Sequence, residues 1–172
     1  MRGKLCIAVG VGVIIMTGFV SQAAADCETA KGKITNNGQP DGSTLGVVAL
    51  RLGHEKHKCA IVGAPQFPGP PNFRHTVVCD NKAGPDEAQA QVTFDTSFTR
   101  EIDFTGYCDI DNPWGPVSFS FEEFSIPDPD TARGSFEGVT NEGGITITGD
   151  FNCDGGIVMK FNGSICFDED ED

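Results

Sequence analysis

Residues 144 to 167, GITITGDFNCDGGIVMKFNGSICF, contain the strongest structural pattern in the chain. Ile145, Ile147, Phe151 and Cys153 share one parity, and the intervening positions of the other parity are threonine, aspartate and asparagine. An alternation with a period of two residues is typical of a β-strand with one face in the core and the other in water. The stretch is therefore predicted to begin with such a strand.

Two turn signals follow within the same stretch. Asp154-Gly155-Gly156 contains residues that tolerate positive φ, and Asn162-Gly163 is a dipeptide typical of tight β-hairpins. The apolar segments IVMKF and SICF come directly after these signals. We therefore expect residues 144 to 167 to form a meander of three antiparallel strands.

The rest of the chain has the same character, since short apolar or alternating segments are separated by turn residues roughly every 8 to 12 positions. Residues 45 to 52, LGVVALRL, are apolar on both parities and predict a central strand covered on both faces. In residues 117 to 124, VSFSFEEF, the apolar parity changes at Glu122-Glu123, which predicts a β-bulge. The predicted fold class is all-β: an antiparallel β-sandwich or barrel of about nine or ten short strands, bonded by disulfides.

The first 25 residues have the features of a secretory signal peptide. The basic start MRGK precedes an apolar segment, and Ala23 and Ala25 match an A-x-A cleavage site. The predicted organisation is a signal peptide at 1 to 25, a single β domain at 26 to 167 and an acidic disordered tail at 168 to 172. The predicted location is secreted or periplasmic.

Removal of the signal peptide leaves an even number of cysteines, which in an exported chain predicts disulfides. Cys59 and Cys79 are equidistant from Gly69, in a proline-rich connection, so a hairpin would place them opposite each other and bond them. Spacing leaves the other four underdetermined, and we favour Cys27 with Cys166 and Cys108 with Cys153. The six predicted disulfide cysteines are Cys27, Cys59, Cys79, Cys108, Cys153 and Cys166.

Charge is distributed unevenly along the chain. Loss of Arg2 and Lys4 with the signal peptide changes the formal net charge from −13 to −15, yet residues 26 to 79 contain more basic than acidic residues. An acidic body repels nucleic acid and anionic membranes, so neither is a predicted partner. The basic portion instead predicts binding to an acidic glycan or an acidic protein surface, including the acidic half of another copy.

A basic segment and one tryptophan are the predicted ligand-binding residues. Trp114 lies in a proline-containing loop, where an aromatic side chain can anchor a partner. Reversing Arg51, Lys56 and Lys58 to glutamate is expected to abolish binding without unfolding the domain. The full predicted set is Arg51, His54, Lys56, His57, Lys58, Arg74, His75 and Trp114.

Asp150, Asn152 and Asp154 match the first half of a calcium-binding loop, although the twelfth position is Phe161 and not an acidic residue. No cofactor is predicted beyond this partial calcium match, because His54, His57 and His75 lack the H-E-x-x-H spacing of a metal site. The sequence contains no G-x-S-x-G nucleophile motif, and no family resemblance is specific. We therefore predict an exported, non-catalytic β-domain that binds a partner or assembles. The alternatives are a calcium-stabilised extracellular module and a small extracellular hydrolase with paired carboxylates such as Glu122 and Glu123.

Overall fold

The alternating segments form nine antiparallel strands in the computed structural model, which describes residues 25–66, 72–80, 89–100, 102–109, 111 and 117–168. The predicted signal peptide, apart from Ala25, and the tail beyond Asp168 lie outside the described residues, as does Trp114. The strands are β1 (Asp26–Gly38), β2 (Thr44–Leu52), β3 (Glu55–Pro65), β4 (Phe73–Cys79), β5 (Ala90–Phe98), β6 (Asp103–Tyr107), β7 (Val117–Arg133), β8 (Val139–Phe151) and β9 (Gly156–Phe167).

Eight of these strands close into an up-and-down barrel. Each pairs with its neighbours along the chain, except that β5 pairs directly with β7, and β1 pairs with β9 to complete the circle. The ninth strand, β6, lies beside the first part of β7. The prediction of an all-β antiparallel fold is confirmed, and the architecture is the barrel, which leaves none of its eight strands as a free sheet edge.

Alternation along each strand separates the barrel interior from the exterior. On β2, Val48, Leu50 and Leu52 are buried, while Leu45 and Val47 are exposed on the outside. The prediction that residues 45 to 52 form a strand covered on both faces is therefore wrong. An apolar run on a barrel strand can leave its outer side exposed to water, as Leu45 and Val47 are here.

Residues 156 to 167 form one continuous strand, so the predicted three-stranded meander is also wrong. Asn162 and Gly163 pair within the sheet with both β1 and β8. A methyl group at Gly163 would lie 2.7 Å from Ile145 Cα, so this glycine permits close approach of β8 and does not make a turn.

One end of the barrel is closed by the connection between β7 and β8. A short 3₁₀ turn, Gly134–Phe136, inserts the fully buried Phe136 side chain among core residues such as Leu50 and Phe94. Between His75 and this closed end the interior is packed, and the residual cavity there is about 30 Å³. The opposite end carries the β1–β2 loop and the β8–β9 turn.

All three predicted disulfides are present. Cys59 and Cys79 are register partners on β3 and β4, as the hairpin geometry predicts. Cys27–Cys166 joins the first and last strands, and Cys108–Cys153 joins the end of β6 to the β8–β9 turn. Three disulfides indicate an oxidising compartment. In the described part of the chain, no helix has the length and apolar character needed to cross a membrane.

Candidate functional site

The open end of the barrel leads into an internal cavity of about 490 Å³. Its mouth lies between the β1–β2 loop, residues 39 to 43, and the β8–β9 turn at Gly155. Eight-stranded barrels are either filled by side chains or wide enough to hold one small ligand. This barrel is filled at its closed end and hollow at its open end.

Phenylalanine side chains form much of the cavity wall. Their rings make a continuous series of contacts from Phe73 through Phe98 and Phe121 to Phe119, with centroid distances of 6.0 to 6.4 Å. The series ends at Phe151, whose ring stacks on Phe119 at 5.0 Å. The wall therefore offers both faces and edges of aromatic rings to any occupant.

The floor of the cavity is polar, and glycines make room for it. Asn36 is fully buried and donates from Nδ2 to Thr44 Oγ1 at 3.2 Å. A methyl group on Gly63 would lie 2.9 Å from His75 Nε2 and would also clash with Thr44 Oγ1, so glycine at this position is what allows both side chains to sit inside. The Oδ1 atom of Asn36 has no hydrogen-bond partner.

His75 continues this polar layer across β4, β5 and β7. Its Nδ1 lies 3.0 Å from Thr96 Oγ1, and Thr96 Oγ1 lies 2.7 Å from Ser125 Oγ. Burial lowers the pKa of His75 to about 4, because desolvation disfavours the charged imidazolium. The imidazole is therefore neutral at physiological pH and serves the layer as a hydrogen-bonding group.

Among the described residues that line the cavity, Glu123 is the acidic one. It projects inward from β7, its residue exposure is 3%, and its Oε2 atom has no hydrogen-bond partner. Burial raises the pKa of Glu123 to about 7, because the carboxylate has lost its water and gained no cation. A buried carboxyl without a partner is costly, which marks Glu123 as a candidate functional residue.

From the sequence, Glu123 is named only as a partner of Glu122 in the alternative hydrolase, and its inward position was missed because a bulge was predicted at this point. The pairing of β7 with β8 runs without interruption from Phe119 to Ser125, so the predicted bulge is wrong. Strict alternation from Phe119 and Phe121 places Glu123 and Ser125 inside, and that parity was the signal that could have found them. Glu122 lies on the opposite face of β7, so the two glutamates do not line one groove.

The predicted basic residues are divided between the exterior and the interior of the barrel. Arg51, His54, Lys56 and Lys58 are exposed. His57 and His75 are buried on the inside, so they do not belong to the same surface. Arg74 contacts two carboxylates: its Nε lies 2.8 Å from Asp95 Oδ1, and its Nη2 pairs with Asp128.

The exposed cations lie side by side in the sheet. Lys31 pairs with Arg51, which pairs in turn with Lys56. One step further along the same strands, Lys33 is a register partner of both Ala49 and Lys160, and Ala49 is a partner of Lys58. Opposed residues in antiparallel strands are roughly 4.5 to 5.5 Å apart at Cα, so these side chains form one continuous surface. We call this surface the basic face: Lys31, Lys33, Arg51, Lys56, Lys58 and Lys160.

The side chains of two of the three predicted calcium ligands have local hydrogen-bond partners. Asp150 Oδ1 accepts a hydrogen bond from Ser120 Oγ at 2.7 Å on the outside of β8. Asp154 Oδ1 accepts from the Gly156 N–H at 2.8 Å and so stabilises the turn that also contains Asn152. Within the described ranges, no group of three or more His, Cys, Asp or Glu side chains is placed to hold a metal.

The fold and site together define an eight-stranded up-and-down barrel with an aromatic internal cavity and a buried carboxyl group. No protein-family model matches the chain, and neither the curated proteins nor the solved structures compared with it gave a match.

Proposed function

We propose that this protein is an exported, non-catalytic binding protein that holds one small, largely apolar molecule inside its barrel. The observation that carries this proposal is the cavity of about 490 Å³, walled by phenylalanines and open at one end. Ligand sites in proteins are typically about 300 to 1,000 Å³, mostly apolar, with a few convergent polar groups. The cavity has this size and this composition.

The packing of the barrel supports a binding role for the hollow. Protein interiors are normally close-packed, and the closed end of the same barrel is filled by side chains such as Phe136 and Ile165. An apolar ligand entering the open end would bury the phenylalanine rings and gain about 25 cal/mol for each Å² removed from water. The polar floor would fix its orientation.

Export is part of the proposal. The signal-like residues 1 to 25 direct the chain out of the cytoplasm, and an oxidising compartment suits three disulfides. A protein that carries a small apolar molecule outside the cell keeps that molecule soluble. The acidic exterior adds solubility to the complex.

The test is to narrow the cavity and measure the binding of a neutral fluorescent dye, Nile red. Ile157 lines the cavity, while its neighbour Val158 faces outward and is 48% exposed. We expect Ile157→Trp to weaken dye binding about tenfold or more, because the indole occupies ligand space, and Val158→Trp to leave it unchanged.

Fluorescence titration of the wild type and both variants gives the three dissociation constants. Wild-type protein that does not bind the dye, or equal binding by all three proteins, would contradict a ligand site inside the barrel.

A second candidate function is binding of an acidic partner by the basic face, as the charge distribution predicts. Its support is the alignment of Lys31, Arg51 and Lys56 across three strands. Like charges directly opposite each other destabilise a sheet, so this arrangement costs stability in a chain that has many acidic residues available. An acidic glycan or acidic protein surface would neutralise the face.

Heparin, a polyanionic glycan, is a suitable probe for this second function. We expect Arg51→Glu to weaken heparin retention and to leave the fold intact, because the introduced carboxylate would face Lys31 and Lys56. Arg133→Glu is the matched control, since Arg133 is exposed near the end of β7 and its reversal changes the net charge equally.

Retention should fall steeply with salt, since the individual charge pairs are exposed and screened. Equal retention of the two variants, or retention that is insensitive to salt, would count against the basic face.

A further inference from the structure

We propose that the cavity ligand is an organic cation: an apolar, aromatic body carrying an ammonium group that meets the Glu123 carboxylate. This inference rests on the proposed function, since it names the chemical class of molecule for the same cavity. It follows from three features of the cavity: its unpaired acceptor, the charges that line it, and its aromatic wall.

The first feature is the hydrogen-bonding capacity left unused. Glu123 Oε2 and Asn36 Oδ1 are both buried acceptors without a partner. Asn36 Nδ2 bonds Thr44 Oγ1, and Thr96 Oγ1 lies between His75 Nδ1 and Ser125 Oγ, so these polar groups are directed at one another and not at the two acceptors. A ligand that brings a hydrogen-bond donor into the cavity would satisfy such an acceptor.

The second feature is the sign of the charge. The cavity-lining residues that the structure describes include Glu123 but neither lysine nor arginine. His75 is the other titratable group among them, and its buried imidazole is neutral, so it does not neutralise a carboxylate. A carboxylate ligand would be repelled by Glu123, whereas an ammonium group supplies the missing counter-charge. A buried carboxylate that lacks its counter-charge is strongly unfavourable, so a cationic ligand gains binding free energy by pairing with Glu123.

The third feature is the ring system around the acid. Phe121 lies two positions from Glu123 on the inner side of β7, and its ring is in edge contact with that of Phe98. Phe119 and Phe151 extend the aromatic surface toward the mouth. Aromatic faces attract cations, most strongly where water is excluded. The phenylalanine rings of the wall can therefore stack on the aromatic body of a ligand and also attract its ammonium group.

The test compares three ligands that share an indole body: tryptamine, its alcohol tryptophol, and indole-3-acetate. Each is titrated calorimetrically into the wild type, Glu123→Gln and Glu122→Gln. Glu122 is the matched control because it is the adjacent glutamate on the outer face of β7, where it accepts from Thr99 Oγ1 and lies 3.6 Å from Arg100.

We expect the wild type to bind tryptamine about tenfold or more tightly than tryptophol, and indole-3-acetate most weakly. Glu123→Gln should lose the preference for the amine, and Glu122→Gln should keep it. Nile red binding by Glu123→Gln shows that the cavity of that variant is intact.

The outcomes separate this inference from the proposed function. Suppose that the wild type binds Nile red and that Ile157→Trp weakens this binding. If the wild type then shows no preference for tryptamine, or if the preference survives in Glu123→Gln, the ligand class is overturned and the cavity remains a binding site. Tighter binding of indole-3-acetate also overturns it. If the wild type binds neither the dye nor any of the three indoles, the proposed function and this inference both fail.

Discussion

At the scale of single residues, Glu123 couples the stability of the barrel to pH. Its folded-state pKa of about 7 lies above its ordinary value of 4.5, so the folded protein holds a proton that the unfolded chain has released between these values. Stability from this group is thus fully present below pH 4.5 and is lost as pH rises to 7. The loss amounts to about 3 kcal/mol.

His75 has the opposite effect. Its pKa falls from 6.5 to about 4 on folding, so its contribution is complete above pH 6.5 and is lost as pH falls toward 4. Between pH 4.5 and 6.5 the two groups therefore offset each other. In that range, Glu123 and His75 together should therefore make the stability of the ligand-free wild type depend little on pH.

We predict that Glu123→Gln removes this compensation. Below pH 4.5 the free energy of unfolding of the variant should equal that of the wild type, and above pH 7 it should be larger by about 3 kcal/mol. Urea unfolding of both ligand-free proteins between pH 4 and 8 measures the difference. Glu122→Gln should show no such rise, and a stability difference independent of pH would argue against an unpaired carboxyl inside the barrel.

Residue-level predictions from the sequence succeeded where local geometry was sufficient. The Cys59–Cys79 pair followed from counting along a hairpin, and the structure places these residues in register. The inward position of His57 and His75 was missed, because a histidine is compatible with either face of a strand. Only the register of β3 and β4 within the closed sheet decides which face is interior.

At the scale of elements, β7 shows how a sound rule can mislead. A bulge was predicted because the apolar parity changes at Glu122-Glu123, from Phe119 and Phe121 to Phe124 and Ile126. Such a bulge would have turned Phe124 and Ile126 inward. The regular strand does the reverse, and Phe124 and Ile126 are partly exposed on the outside. Phe124 packs there over Gly144, where a methyl group would lie 3.0 Å from its Cε2 atom. The rule assumes a filled core, and it fails where the strand lines a cavity.

The same limit explains β2 and β9. An outward-facing valine and an inward-facing valine look identical in sequence, so exposed Val47 gave no sign of its position. Gly163 resembled a turn residue because its real constraint, the backbone of β8, lies far away in sequence. Local patterns predict that a strand exists, whereas its partners determine what each face meets.

For the molecule as a whole, the sequence did not distinguish a β-sandwich from a closed β-barrel. Closure depends on the β5–β7 pairing, which leaves β6 outside the barrel, and on the β1–β9 pairing between the first and last strands. The cavity is a property of all eight strands together. Its location could not be read from any one segment, although its lining residues belong to alternations that were visible.

The disulfides allow the energetics of this closure to be measured. Cys27–Cys166 spans 139 residues and joins the first and last strands, whereas Cys59–Cys79 spans 20 residues within one hairpin. In the chain-entropy description, a longer closed loop restricts the unfolded state more. The difference between these two loops corresponds to about 1.7 kcal/mol at 25 °C.

We therefore predict that replacing Cys27 and Cys166 with alanine removes about 1 to 2 kcal/mol more cross-link stabilisation than replacing Cys59 and Cys79. Urea unfolding of each oxidised double variant gives the total loss. The same variants compared with wild type after full reduction give the cost of replacing the side chains alone, which matters because Cys59 and Cys79 are both buried. After subtraction, an equal or larger cross-link contribution from the hairpin disulfide would show that the stability of the barrel does not depend on the covalent link between its first and last strands.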